Sequence, residues 1–207
     1  MTRGMSLPAI LERIAQIDQI VSPKPPATTG GSSGFLTALN NGIEHGSSLA
    51  APAGAPAAPG AGGSGALAAA QSQVGVAEQP PGSNDGPQIA QFRTATAGSG
   101  VGPWCAYFTS WAAAQAGVPL GEAGQGFGSV GALYGWAQRT GRATAAGPGV
   151  RPNPGDLIVW GGRHIGIVES VDADGSIHTI EGNSSNAVSR RTYGADGGGA
   201  TGYVHLG

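Results

Sequence analysis

The sequence predicts an α+β domain in which helices come first along the chain and an antiparallel sheet follows. Between residues 66 and 137, apolar residues recur at helical spacing in four segments, which Gly- and Pro-rich stretches separate. From residue 157 onward, short apolar runs alternate with tight turns, which is typical of strands joined by hairpins. This change of period along the chain predicts the fold class.

Apolar spacing and helix-ending residues define the four predicted helices. Gly75 can close the first helix, and Gly117 and Pro119 end the third. The third helix begins after Gly102-Pro103, and its aromatic residues lie on one face. We expect helices at residues 66–74, 89–92, 105–116 and 129–137.

Turn signals divide the second half of the chain into strands. Pro152, Asn153, Pro154 and Gly155 form a strong turn signal before the apolar run at 157–160. A second turn signal at 172–175 contains Asp-Gly, which favours a hairpin. We expect strands at residues 157–160, 164–171, 176–181, 188–193 and 203–206.

Composition and charge argue against several classes of partner. The chain has 207 residues with a formal net charge of −2, so it lacks the basic surface that nucleic acid binding requires. No apolar run approaches the roughly 20 residues that span a bilayer, so we expect no membrane association. The single cysteine cannot form an internal disulfide or a Cys-rich zinc site.

Residues 1–64 differ in composition from the rest of the chain. Residues 1–22 predict an amphipathic helix, which could dock on the main domain, on a partner protein or on another copy of itself. Residues 23–64 are rich in Pro, Gly, Ala and Ser, and predict a flexible linker that contains His45 and a short apolar island at 35–39. The folded domain is therefore expected at residues 65–207. The apolar stripe of the terminal helix consists of Ile10, Leu11, Ile14, Ile17, Ile20 and Val21.

Cys105 is the strongest candidate for a reactive residue. It lies at the predicted start of the third helix, where free backbone N–H groups and the helix dipole favour a thiolate. The thiolate is the form that attacks carbonyl groups. Taken alone, a single cysteine is more often a small buried apolar residue. Partners elsewhere in the sequence favour the reactive interpretation.

A cysteine nucleophile needs a base, and the base needs a group that orients it. His164 begins a strand after a tight turn, and the following hairpin can bring Glu181 and Asn183 near it. Along an extended strand, Glu181 and Asn183 share one face while His178 points to the other, which favours His164 as the base. His205 has no comparable polar companion in the sequence.

Four short segments contain or surround these candidate residues: WCAYFTSW, PGDLIVW, HIGIV and IEGN, at residues 104–111, 154–160, 164–168 and 180–183. In this order and spacing, they resemble the CHAP family of cysteine, histidine-dependent amidohydrolases/peptidases. The resemblance covers about residues 65–207 and implies a papain-like (NlpC/P60-like) fold. It also implies peptidoglycan as the substrate, which would be cleaved at an amide bond. The family carries out this reaction in phage endolysins and in bacterial wall-remodelling enzymes.

The resemblance also assigns roles to residues of this chain. Cys105 would be the nucleophile, His164 the general base and later the acid, and Glu181 the group that orients the imidazole. Asn183 would assist the imidazole or the substrate. The backbone N–H of Cys105 should contribute to the oxyanion hole.

No metal and no cofactor is expected. Some relatives carry a calcium loop of spaced aspartates before the cysteine. Asn84 and Asp85 lack the further oxygen ligands that such a loop needs, so we interpret them as a turn. Trp104 and Trp160 are candidates for lining a substrate groove, although core packing would also suit an aromatic residue.

The N-terminal residues bear on where the protein is located. They resemble leaders of flagellum-associated wall hydrolases of actinobacteria, and they lack the continuous apolar core of a signal peptide. We therefore expect an extracellular or cell-envelope protein that is exported by a flagellar-type route or released by a phage holin.

The cleaved bond could join glycan to stem peptide, or lie within the stem or cross-bridge. The alternative function is a non-catalytic wall or flagellar scaffold that docks a partner through its terminal helix.

Overall fold

The structure is a computed structural model that describes residues 60–207. The predicted terminal helix at 1–22, the linker up to residue 59, the apolar island at 35–39 and His45 lie outside the described residues. The described part contains helices α1 to α4 and strands β1 to β6. The helices are α1 (Ala61–Gln71), α2 (Pro87–Arg93), α3 (Cys105–Gln115) and α4 (Val130–Arg139). The strands are β1 (Ala143–Ala145), β2 (Leu157–Trp160), β3 (His164–Val171), β4 (Ile177–Ser184), β5 (Ala187–Tyr193) and β6 (Gly202–Val204).

The strands form one antiparallel sheet in the order β1-β6-β2-β3-β4-β5. Within residues 60–207, the four helices thus precede all six strands along the chain, which confirms the predicted α+β papain-like class. The tight turn at residues 161–163 sets the β2–β3 register, in which Trp160 pairs with His164. This register places His164 at one end of the sheet.

Helix α1 begins at Ala61, four residues before the domain boundary expected from the sequence. The last residues of the predicted linker are therefore helical. Glycines permit the close packing of this helix, because a Cβ at Gly62 would clash with the carbonyl oxygen of Leu206 and one at Gly155 would clash with the backbone of Gly63. Without side chains at these positions, α1 can pack directly on the C-terminal segment and on the turn before β2.

The two faces of the sheet pack against different parts of the protein. The larger core lies on the helix side, where β2 and β3 contribute Leu157, Val159, Ile165 and Ile167. A smaller cluster lies on the opposite face. It contains Ile158, Trp160, Val168, Ile177 and Tyr203. Strand β2 is consequently apolar at every position, as expected of a strand that is buried on both faces.

Strand β1 was not predicted, since it is only three residues long and has no apolar periodicity. Its partner β6 defines it through the pairing of Ala143 with Val204.

Among residues 60–207, no helix is both long and apolar enough to cross a membrane.

Candidate active site

Cys105 is the first residue of α3, as the sequence predicted. Its thiol is free, and the residue is buried. The preceding residue, Trp104, occupies the N-cap position and offers no capping side-chain oxygen. The N–H groups of the first helical turn therefore keep their donor capacity, and the positive end of the helix dipole lies at the sulfur. The start of α3 is therefore a favourable place for negative charge.

His164 is the first residue of β3 and lies beside this helix start. Its Nε2 lies 2.8 Å from Glu181 Oε2, and the thiol of Cys105 lies close enough to the ring to affect its pKa. Because Nε2 is engaged by the carboxylate, Nδ1 is the nitrogen available to the sulfur. The indole of Trp160 stacks on the imidazole with a centroid distance of 5.5 Å and an interplanar angle of 27°. These contacts fix both the position and the plane of the ring.

Glu181 is held by three side chains and is only 2 % exposed. Its Oε1 accepts hydrogen bonds from the hydroxyls of Thr179 (2.6 Å) and Tyr193 (2.8 Å), while Oε2 faces His164. The carboxylate reaches the histidine across Gly166, where a Cβ would lie 2.7 Å from Glu181 Cγ. Both oxygens of this buried group thus have partners, so the carboxylate orients the imidazole without flexibility.

The site favours the charged forms of this pair. Burial acts to lower the pKa of His164, but the hydrogen bonds and charges of Cys105 and Glu181 outweigh it and raise the pKa to about 9. Burial acts to raise the pKa of Glu181, but its hydrogen bonds to His164, Thr179 and Tyr193 bring that pKa below the ordinary value. At neutral pH the histidine is therefore protonated next to an ionised carboxylate.

Asn183 does not lie beside Glu181 as the strand pattern suggested. Its φ is 57°, and the β4–β5 ladder shifts register between Glu181 and Ser184. The left-handed residue turns the amide away from His164, to which it makes no hydrogen bond in the described part of the chain. With the amide oxygen assigned toward Trp104, it accepts from the backbone N–H of that residue (3.0 Å) and lies 3.2 Å from its Nε1. Asn183 thus contacts the residue that precedes the nucleophile.

A protein-family model matches part of the chain. Residues 96–183 match the CHAP domain. This segment is a CHAP domain. CHAP domains are cysteine/histidine-dependent amidohydrolases/peptidases that act on peptidoglycan, and the match includes Cys105, His164 and Glu181. The curated proteins searched contain no match to the chain.

The two tryptophans that were candidates for a substrate groove occupy different positions in the CHAP domain. Trp104 is completely buried and packs against Phe92 and Phe108, so the prediction that it lines a groove is wrong. Its aromatic neighbours on α2 and α3 cover it. Trp160 keeps 8 % of its surface exposed, and its indole N–H donates to the carbonyl of Gly197 (2.8 Å). That Trp160 contacts substrate stays a prediction.

Two further histidines among residues 60–207 also have carboxylate partners. His178 Nε2 lies 2.8 Å from Asp172 Oδ2. His205 Nδ1 lies 3.1 Å from Asp156 Oδ2, so the expectation that His205 lacks a polar companion is wrong. The pairing of β6 with β2 brings these two residues together from distant parts of the chain. Since Cys105 is the only cysteine of the chain, neither pair has a thiol nucleophile beside it.

Glu78 is a buried carboxylate that contacts Trp104, and no sequence pattern predicted it. It lies in the turn-rich segment between α1 and α2, where no periodic pattern marks a functional residue.

No group of three or more His, Cys, Asp or Glu side chains suited to a metal ion occurs within residues 60–207.

Substitution of Gly166 by alanine is expected to lower hydrolytic activity about tenfold to a hundredfold while the protein stays folded. The added Cβ would displace the side chain of Glu181 and thereby the ring of His164, and a displacement of about 1 Å at a catalytic group costs on the order of 100-fold. The measurement is the rate at which wall fragments are released, with circular dichroism as the check on folding.

Gly162→Ala is the matched control, because Gly162 lies in the same β2–β3 hairpin and an added Cβ there meets nothing within 4 Å. We expect this variant to keep wild-type activity. Equal activities of the Gly166 and Gly162 variants would show that the position of Glu181 does not depend on the absence of a side chain at Gly166.

The raised pKa of His164 predicts a loss of stability on the alkaline side. Because the folded-state value of about 9 exceeds the ordinary value of 6.5, this histidine contributes its full stabilisation below pH 6.5 and loses it as the pH rises through 9. The expected loss of unfolding free energy is on the order of 2 kcal/mol. Urea denaturation of wild type and of His164→Gln between pH 6 and 9.5 measures it. Parallel pH dependences of the two proteins would contradict the assignment.

Proposed function

We propose that this CHAP domain hydrolyses an amide bond of peptidoglycan, with Cys105 as the nucleophile and His164 as the acid and base. One observation carries the proposal. The thiol at the start of α3 lies beside the imidazole of His164, whose Nε2 is held by the buried carboxylate of Glu181. Nucleophile, base and orienting group thus form one chain of contacts, as nucleophilic catalysis requires.

The first half of the reaction transfers the acyl group to the enzyme. His164 holds the proton of the thiol while the sulfur attacks the amide carbonyl as a thiolate. The negative charge that develops on the carbonyl oxygen can be stabilised by the backbone N–H of Cys105, since no side chain caps this helix. His164 then gives its proton to the leaving amine, the C–N bond breaks, and a thioester remains.

The second half releases the acyl group. A water molecule gives one proton to the now neutral His164 and attacks the thioester carbonyl. The C–S bond breaks, and the product leaves as a carboxylic acid. The ionised Glu181 stabilises the imidazolium in both halves and keeps the proton of Nε2 directed toward itself. Its hydroxyl partners hold it in place throughout.

Peptidoglycan offers two classes of amide bond to such a site. One joins the glycan to the stem peptide, and the other lies within the stem or its cross-bridge. Both fit the same acyl-enzyme chemistry, so the shape of the substrate groove decides between them. Because peptidoglycan lies outside the cytoplasmic membrane, the proposed activity places the working enzyme in the cell envelope or outside the cell.

Mass spectrometry of digested peptidoglycan tests the proposal. Purified walls of directly cross-linked and of bridged types are incubated with the protein, and in parallel with protein alkylated at its only cysteine by iodoacetamide. We expect soluble fragments from the untreated enzyme alone. Free glycan with intact stem peptides would identify an amidase, and shortened peptides an endopeptidase. Equal digestion by the alkylated protein, or no digestion of either wall type, would overturn the proposal.

A further inference from the structure

Glu78 is a buried carboxylate that the reaction steps above do not use. It is 2 % exposed, and each of its oxygens accepts one hydrogen bond. Oε1 accepts from Nε1 of Trp104 (2.9 Å), and Oε2 accepts from the backbone N–H of Asn84 (3.0 Å). Its own backbone N–H donates to the carbonyl of Asn186 (2.9 Å) in the β4–β5 hairpin. A carboxylate with these partners is fixed, because burying it without them would be costly.

The indole that Glu78 holds belongs to the residue directly before the nucleophile. Trp104 is completely buried, and its carbonyl accepts the first hydrogen bond of α3 from Phe108 (2.9 Å). Its backbone N–H donates to the side chain of Asn183 (3.0 Å). Backbone and side chain of the N-cap residue are thus both fixed. The direction in which α3 begins, and with it the position of Cys105, depends on these contacts.

The same contacts reach the strand that orients the base. Asn183 follows Glu181 by two residues in β4, and its side-chain amide lies 2.8 Å from that of Asn84. Gly182, between them, lets the strand approach closely, since a Cβ there would lie 2.9 Å from the indole of Trp104. We call Glu78, Asn84, Trp104 and Asn183 the Glu78 cluster. It joins the start of α3 to the end of β4.

We propose that Glu78 is a positioning residue that holds Trp104 so that the sulfur of Cys105 meets Nδ1 of His164. The proposal rests on the proposed function, in which these two groups react together. A carboxylate suits the position because it only accepts hydrogen bonds, and both of its neighbours donate. A glutamine of the same shape would direct an N–H group at one of the two donors. One side of the Glu78 cluster would then lose its hydrogen bond.

A buried carboxylate with a purely structural role would affect stability and leave the reactivity of Cys105 in the folded protein unchanged. The rate of alkylation of Cys105 by iodoacetamide separates the two roles, because it reports the thiolate and needs no wall substrate. We compare wild type, Glu78→Gln, Trp104→Phe and the double variant between pH 5 and 9. Trp104→Phe keeps an aromatic ring and removes the indole donor.

We expect Glu78→Gln to lower the alkylation rate near pH 6.5 about tenfold and to shift the rising limb of its pH profile toward alkaline pH, because a displaced thiol loses its imidazolium partner. Trp104→Phe should act in the same direction. The alkylation rate of the double variant should be no lower than that of the slower single variant, since the two substitutions remove the same hydrogen bond. In wall digestion, kcat should fall while KM stays near the wild-type value.

Glu169→Gln is the matched control. Glu169 lies on β3 and likewise uses both carboxylate oxygens, which bind Arg190 and Gln71 at the surface. We expect its alkylation profile to match that of wild type. Circular dichroism and thermal unfolding show which variants are folded at the temperature of the assay.

A folded Glu78→Gln protein with the wild-type alkylation profile would overturn the proposal. So would full additivity of the two substitutions, which would show that Glu78 does not act through Trp104. If Glu78→Gln does not fold, Trp104→Phe decides alone, and a wild-type profile in that variant overturns the proposal. If wild type digests no peptidoglycan but the alkylation rates change as expected, the positioning role stands and the proposed function fails.

Discussion

Replacement of Cys105 by alanine is expected to lower the release of peptidoglycan fragments at least about 10⁴-fold, because it removes the nucleophile on which covalent catalysis depends. The chain has no other cysteine that could act in its place. The remaining groups can only polarise the carbonyl and activate water, and in hydrolases of this kind they leave a small residual rate. Initial rates of fragment release, measured by mass spectrometry at enzyme excess, quantify the loss.

The alanine variant should stay folded and should still bind the wall. Cys105 is buried at the first position of α3, where alanine is a good helix former and loses only one sulfur atom. The His164–Glu181 hydrogen bond does not depend on the sulfur for its geometry. We therefore expect the substitution to change the melting temperature by only a few degrees and to leave sedimentation with insoluble peptidoglycan unchanged. Activity within tenfold of wild type would contradict the role of the thiol.

The parts of the site that the sequence predicts are those set by local signals. The Gly-Pro before Cys105 and the aromatic spacing after it place the cysteine at a helix start, which the structure confirms. The turn before His164 and the Asp-Gly hairpin after β3 predict that Glu181 returns to this histidine, and the two side chains meet at 2.8 Å. Each of these elements depends on residues near one another in the chain. That these residues carry out catalysis stays a prediction.

The remaining contacts depend on residues that are distant in sequence, and no periodic pattern encodes them. An ideal strand places Asn183 on the face of Glu181, but one residue with positive φ turns its amide toward Trp104. Whether an aromatic residue is exposed depends on what packs over it, and the burial of Trp104 comes from α2 and α3. Glu78 lies 26 positions before Trp104, and only the folded chain brings the two together.

Substitution of Glu181 by glutamine is expected to lower the rate of hydrolysis about 10³-fold, because it changes which ring nitrogen of His164 carries the proton. The side chain itself keeps nearly the same shape. The Oε1 of glutamine can still accept from the hydroxyls of Thr179 and Tyr193, which leaves its NH₂ group facing Nε2 of the histidine. That nitrogen must then be unprotonated to accept. The proton of the neutral ring consequently moves to Nδ1, where it faces Cys105, and the ring can no longer accept the proton of the thiol.

The opposite orientation of the amide does not restore the site. It would direct the NH₂ group at Thr179, which is completely buried, and leave the hydroxyl proton of that residue without an acceptor. Either orientation also removes the negative charge that helps to raise the pKa of His164. In the glutamine variant, both the rate of wall digestion and the alkylation rate of Cys105 near pH 6.5 should therefore fall. Glu169→Gln again serves as the control. A Glu181→Gln protein whose alkylation and digestion rates equal those of wild type would show that the carboxylate of Glu181 does not determine which ring nitrogen of His164 carries the proton.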